Sequence, residues 1–593
     1  MSNLLWRKIG LLMGALSALG LLTAVACGGG EPAPTPTQSV PTATSTAVPP
    51  TATATPSGAV PTTVVAAPTS TAVPTPTPVP TVQPKRGGII KANATEDPPN
   101  FDPQQATSSG FNIYNQKLYT GLMWNPQGNL IVLDGAESYS ISADGKVWTF
   151  KLRPDIKFQT GYTPAHPRDG TTMTSQDVKY SLEKMMGTNG QPISPRCGWM
   201  KEFINIDRTD NGVEVVDNLT VNIHLNQPFP ALANILVVGH CGIMPDGVTT
   251  DMMAKRPYGS GPFRVKDFQR GAIWRLARNQ DYFKPGLPYL DEYHYLIMDG
   301  TAIAQAAFLT NKTDITGGYP PPGNTSIYDQ RVAAGEFYMV PIRSDCRPQS
   351  INMNSTKPPF NDKRLRQAVN LAIDRQAYAQ VVHENHVTPS LYLDTDKWGK
   401  TLDEILKLPG YRQPHDADFA EAKKIANELY PKGLDLKMMV RNTSTYMRQG
   451  EFLAGELKKI GLNVTIEALD TNIVFDRAAK LDYTLWSYYF CQTSNTPDEL
   501  FGSYFITGGS RNWYGFSDPQ IDKMYLDMAA TTDPVEKKKK AMAMEDIVYS
   551  FLPGAPLPDA LSSRNAKRYV QNLPVTITQY SREKSELVWR SDI

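Results

Sequence analysis

The sequence predicts a mixed α/β protein with two or three domains, and three observations lead to this class. Signals for strands alternate with signals for capped helices along the chain, which favours mixed layers over a sandwich or a bundle. Residues 434–466 follow the strand, helix, strand pattern of a parallel βαβ unit. The roughly 500 residues after Lys85 carry nearly all of the chain's nine Trp and 27 Tyr, so there is enough globular sequence for several complete cores.

Residues 1–26 are typical of a signal peptide. Arg7 and Lys8 form a basic start, residues 9–26 are almost wholly apolar, and small residues precede Cys27. A cysteine at this place, followed by three glycines, predicts lipid attachment at Cys27. The alternative is an uncleaved membrane anchor, because an apolar stretch of about 18 residues can barely span a bilayer.

Residues 27–85 are predicted to be a disordered, lipid-anchored linker. The segment is rich in Pro, Thr, Ala, Val and Ser and has almost no charge, so it cannot bury enough surface to offset its ordering entropy. Its prolines favour an extended chain with a reach on the order of 150 Å.

Charge and cysteine content limit the classes of partner. Lys and Arg total 59 against 58 Asp and Glu, so no large net field favours nucleic acid. Besides Cys27 there are four cysteines, an even number in an exported protein, where disulfides persist. Three pairings of these four are possible, and none of the spacings is that of a metal site. No cofactor is expected.

Several segments predict particular helices and strands. The turn at Asp144-Gly145 joins two alternating runs, so a half-buried hairpin is expected there. A capping box from Thr174 to Asp177 predicts a helix start, and Asn361 or Asp362 caps a second helix. The βαβ unit is expected to have strands at 434–440 and 462–466 and a helix at 448–460, which Gly461 ends.

A last helix is expected to start after Asp533, with Pro534 at its first position and Glu536 as an acid in the first turn. The lysine run 537–540 that follows is interpreted as a solvated face of this helix.

Residues 136–158, with Asp-Gly and Trp-Thr-Phe-Lys-Leu at their centre, resemble a signature of the extracytoplasmic solute-binding proteins of family 5, which serve oligopeptide, dipeptide and nickel ABC importers. Further segments of the same resemblance follow in family order at 169–178, 259–263, 279–283, 354–362, 457–461 and 515–522. The resemblance therefore covers residues 86 to about 560.

The resemblance implies a two-lobed periplasmic-binding-protein fold of the large, type II-like kind, with mixed sheets and a ligand cleft between the lobes. Lobe I would comprise residues 86–345 together with 557–593, and lobe II residues 346–556. Such clefts close on a ligand by a hinge motion, and the closed state is what a permease recognises.

The implied function is capture of a solute without catalysis, for an ABC permease and its ATPase, by a monomer tethered to the membrane through Cys27 and facing the periplasm or the cell exterior. A sensory or orphan surface lipoprotein without a permease is one alternative. An exported hydrolase is another, although neither a Gly-Xaa-Ser-Xaa-Gly nor a His-Glu-Xaa-Xaa-His motif occurs in the sequence.

The resemblance also implies one disulfide. Relatives of the oligopeptide branch pair a cysteine upstream of the Pro-Pro-Phe motif with one beside the cleft tryptophan, which corresponds here to Cys346 and Cys491. Cys197 and Cys241 would then form the second disulfide.

In lobe II, peptide-binding relatives carry a Trp-Xaa-Xaa-Asp-Tyr segment whose aspartate pairs with the amino terminus of the peptide. The aspartate is missing here, which makes an ordinary peptide a weaker candidate and favours stacking on a sugar, an aromatic compound or an apolar side chain. The alternative is that these aromatic residues only pack the lobe core. The candidate ligand residues of this segment are Trp486, Tyr488, Tyr489, Asn495 and Asp498.

In lobe I, the loop at 95–103 resembles the family loop that borders the ligand. Glu96 is its matched acid, and with Asp97 it is a candidate to replace the missing charge. The alternative is an exposed turn before Pro-Pro. Asn100, Tyr114 and Asn115 complete the candidate ligand residues, although the apolar residues around Tyr114 fit a core helix equally well.

Because nickel-binding relatives exist, a nickel site at His383 and His386 is an alternative for this segment. Only two such ligands lie together in sequence, so no metal is expected there.

Overall fold

The computed structural model describes residues 83–593 except 107–108, 127–129, 299, 319, 321–323, 344–345, 396, 493, 495 and 575–582; at 109–112, 301, 341, 343, 346 and 347 it describes the backbone alone. The predicted signal peptide, Cys27, the linker up to residue 82 and Asn495 lie outside the described residues. In the described part, no helix is both long and apolar enough to cross a bilayer.

The strands of the described part, numbered along the chain, are β1 Ile89–Ala94, β2 Met123–Trp124, β3 Val132–Leu133, β4 Ala136–Ile141, β5 Val147–Leu152, β6 Val213–Asp217, β7 Thr220–His224, β8 Phe263–Gln269, β9 Ile273–Arg278, β10 Glu292–Ile297, β11 Ile315–Gly317, β12 Phe337–Arg343, β13 Cys346–Met353, β14 Val387–Thr388, β15 Leu434–Arg441, β16 Leu462–Leu469, β17 Leu485–Cys491, β18 Gly554–Leu557, β19 Asp559–Lys567, β20 Val570–Gln571 and β21 Trp589–Arg590.

Its α-helices are α1 Ser109–Leu118, α2 Ser175–Met186, α3 Leu232–Leu236, α4 Thr301–Leu309, α5 Thr325–Ala333, α6 Lys363–Ala372, α7 Arg375–His383, α8 Leu402–Ile405, α9 Asp416–Leu429, α10 Ser444–Lys458, α11 Thr471–Ala479, α12 Pro497–Leu500, α13 Pro519–Ala530 and α14 Pro534–Phe551. The mixed α/β class predicted from the sequence is confirmed.

The largest sheet has the strand order β12-β19-β11-β1-β10-β9-β8, and β14 pairs with β19 beside this path. β1 is parallel to both β10 and β11, whereas β8, β9, β12 and β19 pair antiparallel. The carboxyl ends of β1, β10 and β11 therefore lie at one edge of the sheet, the place where open α/β sheets bind ligands.

A five-stranded sheet has the order β16-β15-β17-β13-β18, and a four-stranded antiparallel sheet has the order β4-β5-β7-β6. The chain passes from β12 of the largest sheet to β13 of the five-stranded sheet, and it returns between β18 and β19. Two chain connections thus join these sheets.

One hydrophobic core surrounds the largest sheet, and the most extensive core joins the four-stranded region to the five-stranded sheet. At this second core the rings of Phe203 and Tyr525 meet edge to face at 5.7 Å. Gln227 also donates a hydrogen bond to the carbonyl oxygen of Leu526 at 2.9 Å.

Local signals in the sequence predicted several elements correctly. The hairpin around Gly145 is present, and Trp148, Phe150 and Leu152 face its buried side. α2 begins after a complete capping box formed by Thr174 and Asp177. Asp362, rather than Asn361, caps α6 by accepting a hydrogen bond from the backbone N–H of Arg364.

The βαβ unit is confirmed, with β15 and β16 parallel along their whole length. Its helix α10 begins at Ser444, four residues before the predicted start. Tyr446 is buried on the same face as Leu453 and Leu457, so the core-facing side of the helix extends through this first turn.

α14 begins at Pro534 after the Asp533 cap, as predicted. Lys537 corrects the interpretation of its lysine run as solvated, because this side chain is buried and forms an ion pair with Asp498.

Candidate ligand cleft

The loop after β1 carries Glu96, Asp97 and Asn100. The Glu96 carboxylate lies 3.9 Å from Nη2 of Arg441, a residue at the end of β15 in the five-stranded sheet. This ion pair connects the edge of the largest sheet to the second sheet. Glu96 is therefore placed at a junction between two parts of the molecule, rather than on an isolated exposed turn.

Asp97 is held by the hairpin of β8 and β9, and its role as a charge for the ligand stays a prediction. Its carboxylate accepts hydrogen bonds from Nε1 of Trp274 at 2.5 Å and from the backbone N–H of Gly271 at 2.6 Å. Asn100 likewise folds the loop, because its side-chain oxygen accepts a hydrogen bond from the N–H of Asp102. Both residues hold the loop in place.

Tyr114 lies in the core beneath this loop. Its ring is fully buried against Trp274 and Tyr295, at centroid distances of 5.1 and 4.9 Å, and its hydroxyl donates to the carbonyl oxygen of Glu96. The core-helix interpretation therefore describes Tyr114 better than direct ligand contact. The neighbouring Asn115 is also buried, but its amide nitrogen and oxygen have no hydrogen-bond partner among the described residues.

A cavity of about 350 Å³ lies between α1 and the largest sheet, next to Glu96. Its walls are Ala92, Asn93, Ala94, Thr95, Ile113, Gln116, Lys117, Tyr293, Tyr295, Ile315, Thr316, Gly317, Gly318, Ile342, Ser562, Ser563, Arg564 and Glu583. Ile342 belongs to β12, and Arg564 to β19, the two strands at which the chain crosses between the sheets. Its volume is within the range of small-molecule sites.

Among the described residues, three charged side chains line this cavity. Arg564 Nη1 lies 2.6 Å from the carboxylate of Glu583, and Lys117 Nζ lies 3.9 Å from the other oxygen of that carboxylate. Lys117 Nζ also donates to the backbone carbonyl oxygen of Glu583 at 3.2 Å and lies 4.8 Å from the ring centroid of Tyr293. We call Lys117, Arg564 and Glu583 the cavity triad.

Burial changes the ionisation of the cavity triad. Loss of solvent lowers the pKa of Lys117 to about 8, with Glu583 opposing the shift and Arg564 adding to it. Burial alone would raise the pKa of Glu583, but Arg564 and Lys117 hold it below its usual value. The triad at neutral pH is therefore two cations and one carboxylate.

On the second sheet, Arg441 is held in position by several groups besides Glu96. Its guanidinium donates to Oγ1 of Thr471 at 3.0 Å and lies 4.7 Å from the ring centroid of Tyr446. Tyr446 in turn stacks on Tyr489 of β17 at 4.4 Å. Tyr489 thus belongs to the group around Arg441, and its hydroxyl has no hydrogen-bond partner within the described part of the chain.

Trp486 and Tyr488 of β17 are both buried among aromatic side chains, which favours the alternative that they pack the core, and their place in the cleft stays a prediction. Trp486 packs on Tyr488 at 4.0 Å and on Trp513 at 5.7 Å. The Tyr488 hydroxyl accepts a hydrogen bond from Arg511 at 2.5 Å. Every side chain of β17 is buried, so strand alternation did not separate a cleft face from a core face.

Asp498 is fully buried, and one of its carboxylate oxygens lies 2.7 Å from Nζ of Lys537. Burial raises the pKa of Asp498, and Lys537 opposes that shift. Lys537 of α14 compensates its charge, and Asp498 is not among the described walls of this cavity, so its role as a ligand acid stays a prediction.

The four cysteines lie in two pairs in the structure. Cys491 is disulfide-bonded, and the strand register places Cys346 directly opposite it. Cys197 and Cys241 are both buried, with sulfur atoms 3.3 Å apart and no bond between them. The second predicted disulfide is therefore not formed in the structure, although its partners are in contact.

Two groups of side chains that could bind a metal ion instead form hydrogen bonds to other side chains of the protein. His383 Nε2 contacts Oε1 of Gln349 at 2.9 Å, and burial lowers the pKa of His383 to about 4. In the described part, Asp210, Glu214 and His224 also have ligand atoms within 4.8 Å of one another. Glu214 bonds to His224 at 2.7 Å, and Arg208 binds Asp210, so we regard this group as a polar cluster of the β6–β7 hairpin.

Sequence reasoning missed Lys117, Arg564, Glu583 and Thr316 as wall residues. The one available signal was Lys117 itself, which follows Ile113 and Tyr114 on the core-facing side of a helix, where a lysine is rare. Arg564 and Glu583 come from the C-terminal segment that returns to the largest sheet, so only the tertiary fold brings them to α1.

Residues 131–512, more than half of the chain, match the family model described as the middle region of bacterial extracellular solute-binding proteins, family 5. The chain belongs to this family. Members of family 5 are extracytoplasmic binding proteins and not enzymes, so the exported-hydrolase alternative is excluded.

Among curated relatives, the glutathione-binding protein GsiB of Escherichia coli K12 is 25% identical over 508 residues, covering 82% of this chain and 92% of that protein. The solved periplasmic binding protein DppA of Helicobacter pylori, in complex with the peptide STSA, has a TM-score of 0.74 at 20% identity and covers 85% of this chain and 98% of that one. AgaA of A. tumefacien R10, in complex with agropinic acid, has a TM-score of 0.70 at 23% identity, with 85% and 99% covered. This family 5 protein thus has the two-lobed periplasmic-binding-protein fold that was predicted.

Proposed function

We propose that this family 5 protein captures a small organic or peptide-like solute outside the cytoplasm and delivers it to the permease of an ABC importer. The observation that carries the proposal is the cavity of about 350 Å³ beside the Glu96–Arg441 ion pair. A solute bound there lies next to the contact that joins the two sheets. The described walls of this cavity all belong to the proposed lobe I, and the Glu96–Arg441 pair at its edge would connect it to lobe II in the closed state.

The proposed lobes are residues 86–345 with 557–593, and residues 346–556. The crossing of the chain at β12–β13 and again at β18–β19 supports this division. Two connections of this kind serve as a hinge, and the Glu96–Arg441 pair and the Phe203–Tyr525 contact would have to separate when the cleft opens.

The proposed anchor is a lipid on Cys27, from which residues 27–85 extend to hold the two lobes away from the membrane. The small residues before Cys27 and the glycines after it support this arrangement. Cys27→Ala is expected to release the protein from membranes into the soluble extracytoplasmic fraction. Retention of the variant on membranes would contradict the lipid anchor and favour an uncleaved apolar segment.

The import role is tested in the native host by comparing solutes that remain in the growth medium. Cells that lack the protein are expected to leave at least one solute undepleted, and the wild-type chain is expected to restore its uptake. Cells that carry the variant Lys91→Met, a change at an exposed residue of β1, are expected to take up the solute like cells with the wild-type chain. Identical depletion of every solute by cells with and without the protein would contradict the import role.

A further inference from the structure

The cavity triad carries one more cation than anion. Glu583 is shared between Arg564 at 2.6 Å and Lys117 at 3.9 Å, so the close ion pair belongs to Arg564. Lys117 is only 1% exposed, and a buried ammonium with an incomplete partner is costly. A bound monoanion would bring the charge of the triad to zero.

Lys117 also has hydrogen-bonding capacity left. An ammonium group has three donors, and within the described part of the chain Nζ donates to the carbonyl oxygen of Glu583. The groups around Nζ, namely Tyr293, Tyr295 and Glu583, are all cavity-wall residues. The free donors of Lys117 are therefore beside the cavity.

Thr316 supplies an independent observation. It is 1% exposed and lines the same cavity, and its hydroxyl has no hydrogen-bond partner in the described residues. Buried hydroxyls in folded proteins are nearly always hydrogen-bonded. A ligand oxygen in the cavity would satisfy this hydroxyl.

We propose that the cavity is a subsite for a carboxylate group of the transported solute, with Lys117 Nζ and Thr316 Oγ1 as its donors and Arg564 as a second positive charge. This inference rests on the proposed function and names the chemical class of its solute. A carboxylate matches the single surplus charge, whereas a phosphate dianion would leave the site negative. The lowered pKa of Lys117, about 8, is in keeping with a cation that lacks its anion when the cavity is empty.

The test uses acetate as the probe, since it is a carboxylate with almost nothing else attached. Thermal unfolding of the full-length protein at pH 7 is compared in sodium acetate and in acetamide with sodium chloride at equal concentration. Acetate is expected to raise the melting temperature in a saturable manner, because it binds the folded state. No difference between acetate and acetamide would overturn the proposal.

Two variants and one control test which residues bind acetate. Lys117→Met is expected to weaken acetate binding by about tenfold to a hundredfold, the usual effect of losing one charged hydrogen bond. Thr316→Val, which is close in shape, is expected to weaken it less. Lys91→Met, the same substitution on the exposed side of β1, is expected to bind like the wild type. Equal acetate binding by Lys117→Met and the wild type would overturn the proposal.

A pH series on the wild type needs no substitution, so it decides the question even if a variant fails to fold. The titratable groups that face Lys117 are Glu583, Arg564, Tyr293 and Tyr295. Because Lys117 loses its proton above about pH 8, acetate affinity is expected to fall there, approaching tenfold per pH unit. Affinity that stays constant from pH 7 to 10 would overturn the proposal.

Failure of the carboxylate subsite and failure of the import role give different results. Acetate binding without any effect of the protein on uptake would overturn import alone. Normal uptake by a protein that does not distinguish acetate from acetamide would overturn the carboxylate subsite alone.

Discussion

Two regions of this protein bury charge, and they do so differently. Asp498 and Lys537 form a closed pair of one anion and one cation, 2.7 Å apart, away from the cavity walls. The cavity triad of Lys117, Arg564 and Glu583 has an extra cation and lines a cavity of about 350 Å³. A balanced buried pair therefore supports the fold, whereas an unbalanced group of charges beside a cavity is suited to binding a ligand.

The largest expected effect comes from breaking the balanced pair. Asp498→Ala leaves Lys537 buried without its anion, and the free energy of unfolding is expected to fall by about 3 to 5 kcal/mol in urea denaturation. The double variant Asp498→Leu with Lys537→Met is expected to recover most of this loss, because no lone charge remains buried. A double variant as unstable as the single one would show that the loss does not come from the stranded charge.

Glu545 is a third buried charge, and two backbone N–H groups donate to its carboxyl, those of Tyr392 at 3.0 Å and Leu393 at 2.8 Å. Burial raises its pKa to about 7, above the unfolded value of 4.5. Its favourable contribution is therefore complete below about pH 4.5 and is lost as pH rises to about 7. Glu545→Gln is expected to remove this loss and to gain on the order of 1 to 3 kcal/mol above pH 7 relative to the wild type.

Chemical denaturation of the two proteins from pH 4 to 8 checks this prediction. The difference in stability should grow between pH 4.5 and 7 and then level off. A difference that is constant across this range would show that Glu545 does not titrate there.

The smallest effect is expected at the cavity triad. Lys117→Met removes a desolvated cation and leaves the Arg564–Glu583 pair intact, so the free energy of unfolding at pH 7 is expected to change by less than about 1 kcal/mol. The folded pKa of about 8 lies below the unfolded value of 10.5, so the wild type binds fewer protons when folded and should gain stability between these pH values. That gain should be absent from the variant.

Urea denaturation at pH 7 and at pH 10 measures both quantities. A loss of several kcal/mol in Lys117→Met at pH 7 would mean that Lys117 is a structural partner like Lys537. The cavity triad and the Asp498–Lys537 pair would then have the same structural role.

Much of the fold was predictable because its signals are local. The capping box at Thr174, the Asp533-Pro534 helix start and the alternation around Gly145 each depend on a few neighbouring residues. The βαβ unit was predicted for the same reason, although α10 starts four residues earlier and β16 ends three residues later than predicted.

The candidate site was less predictable because its charges meet only in the tertiary structure. Sequence alone left Asp97 and Asp498 as acids near the ligand, and their partners Trp274 and Lys537 lie far away along the chain. Lys117 and Glu583 are separated by most of the described chain, and no local pattern connects them. Glu96 was predicted from its loop, but its contact with Arg441 was not.

If the cavity beside Glu96 and Arg441 holds an acidic solute, native mass spectrometry of the full-length protein from its own host will detect that solute. Molecules released on denaturation are identified for the wild type, for Lys117→Met and for the Lys91→Met control. We expect a solute with a carboxylate from the wild type and the control, and little or none from Lys117→Met. A released solute without an acidic group, or equal amounts from all three proteins, would contradict the binding of an acidic solute in this cavity.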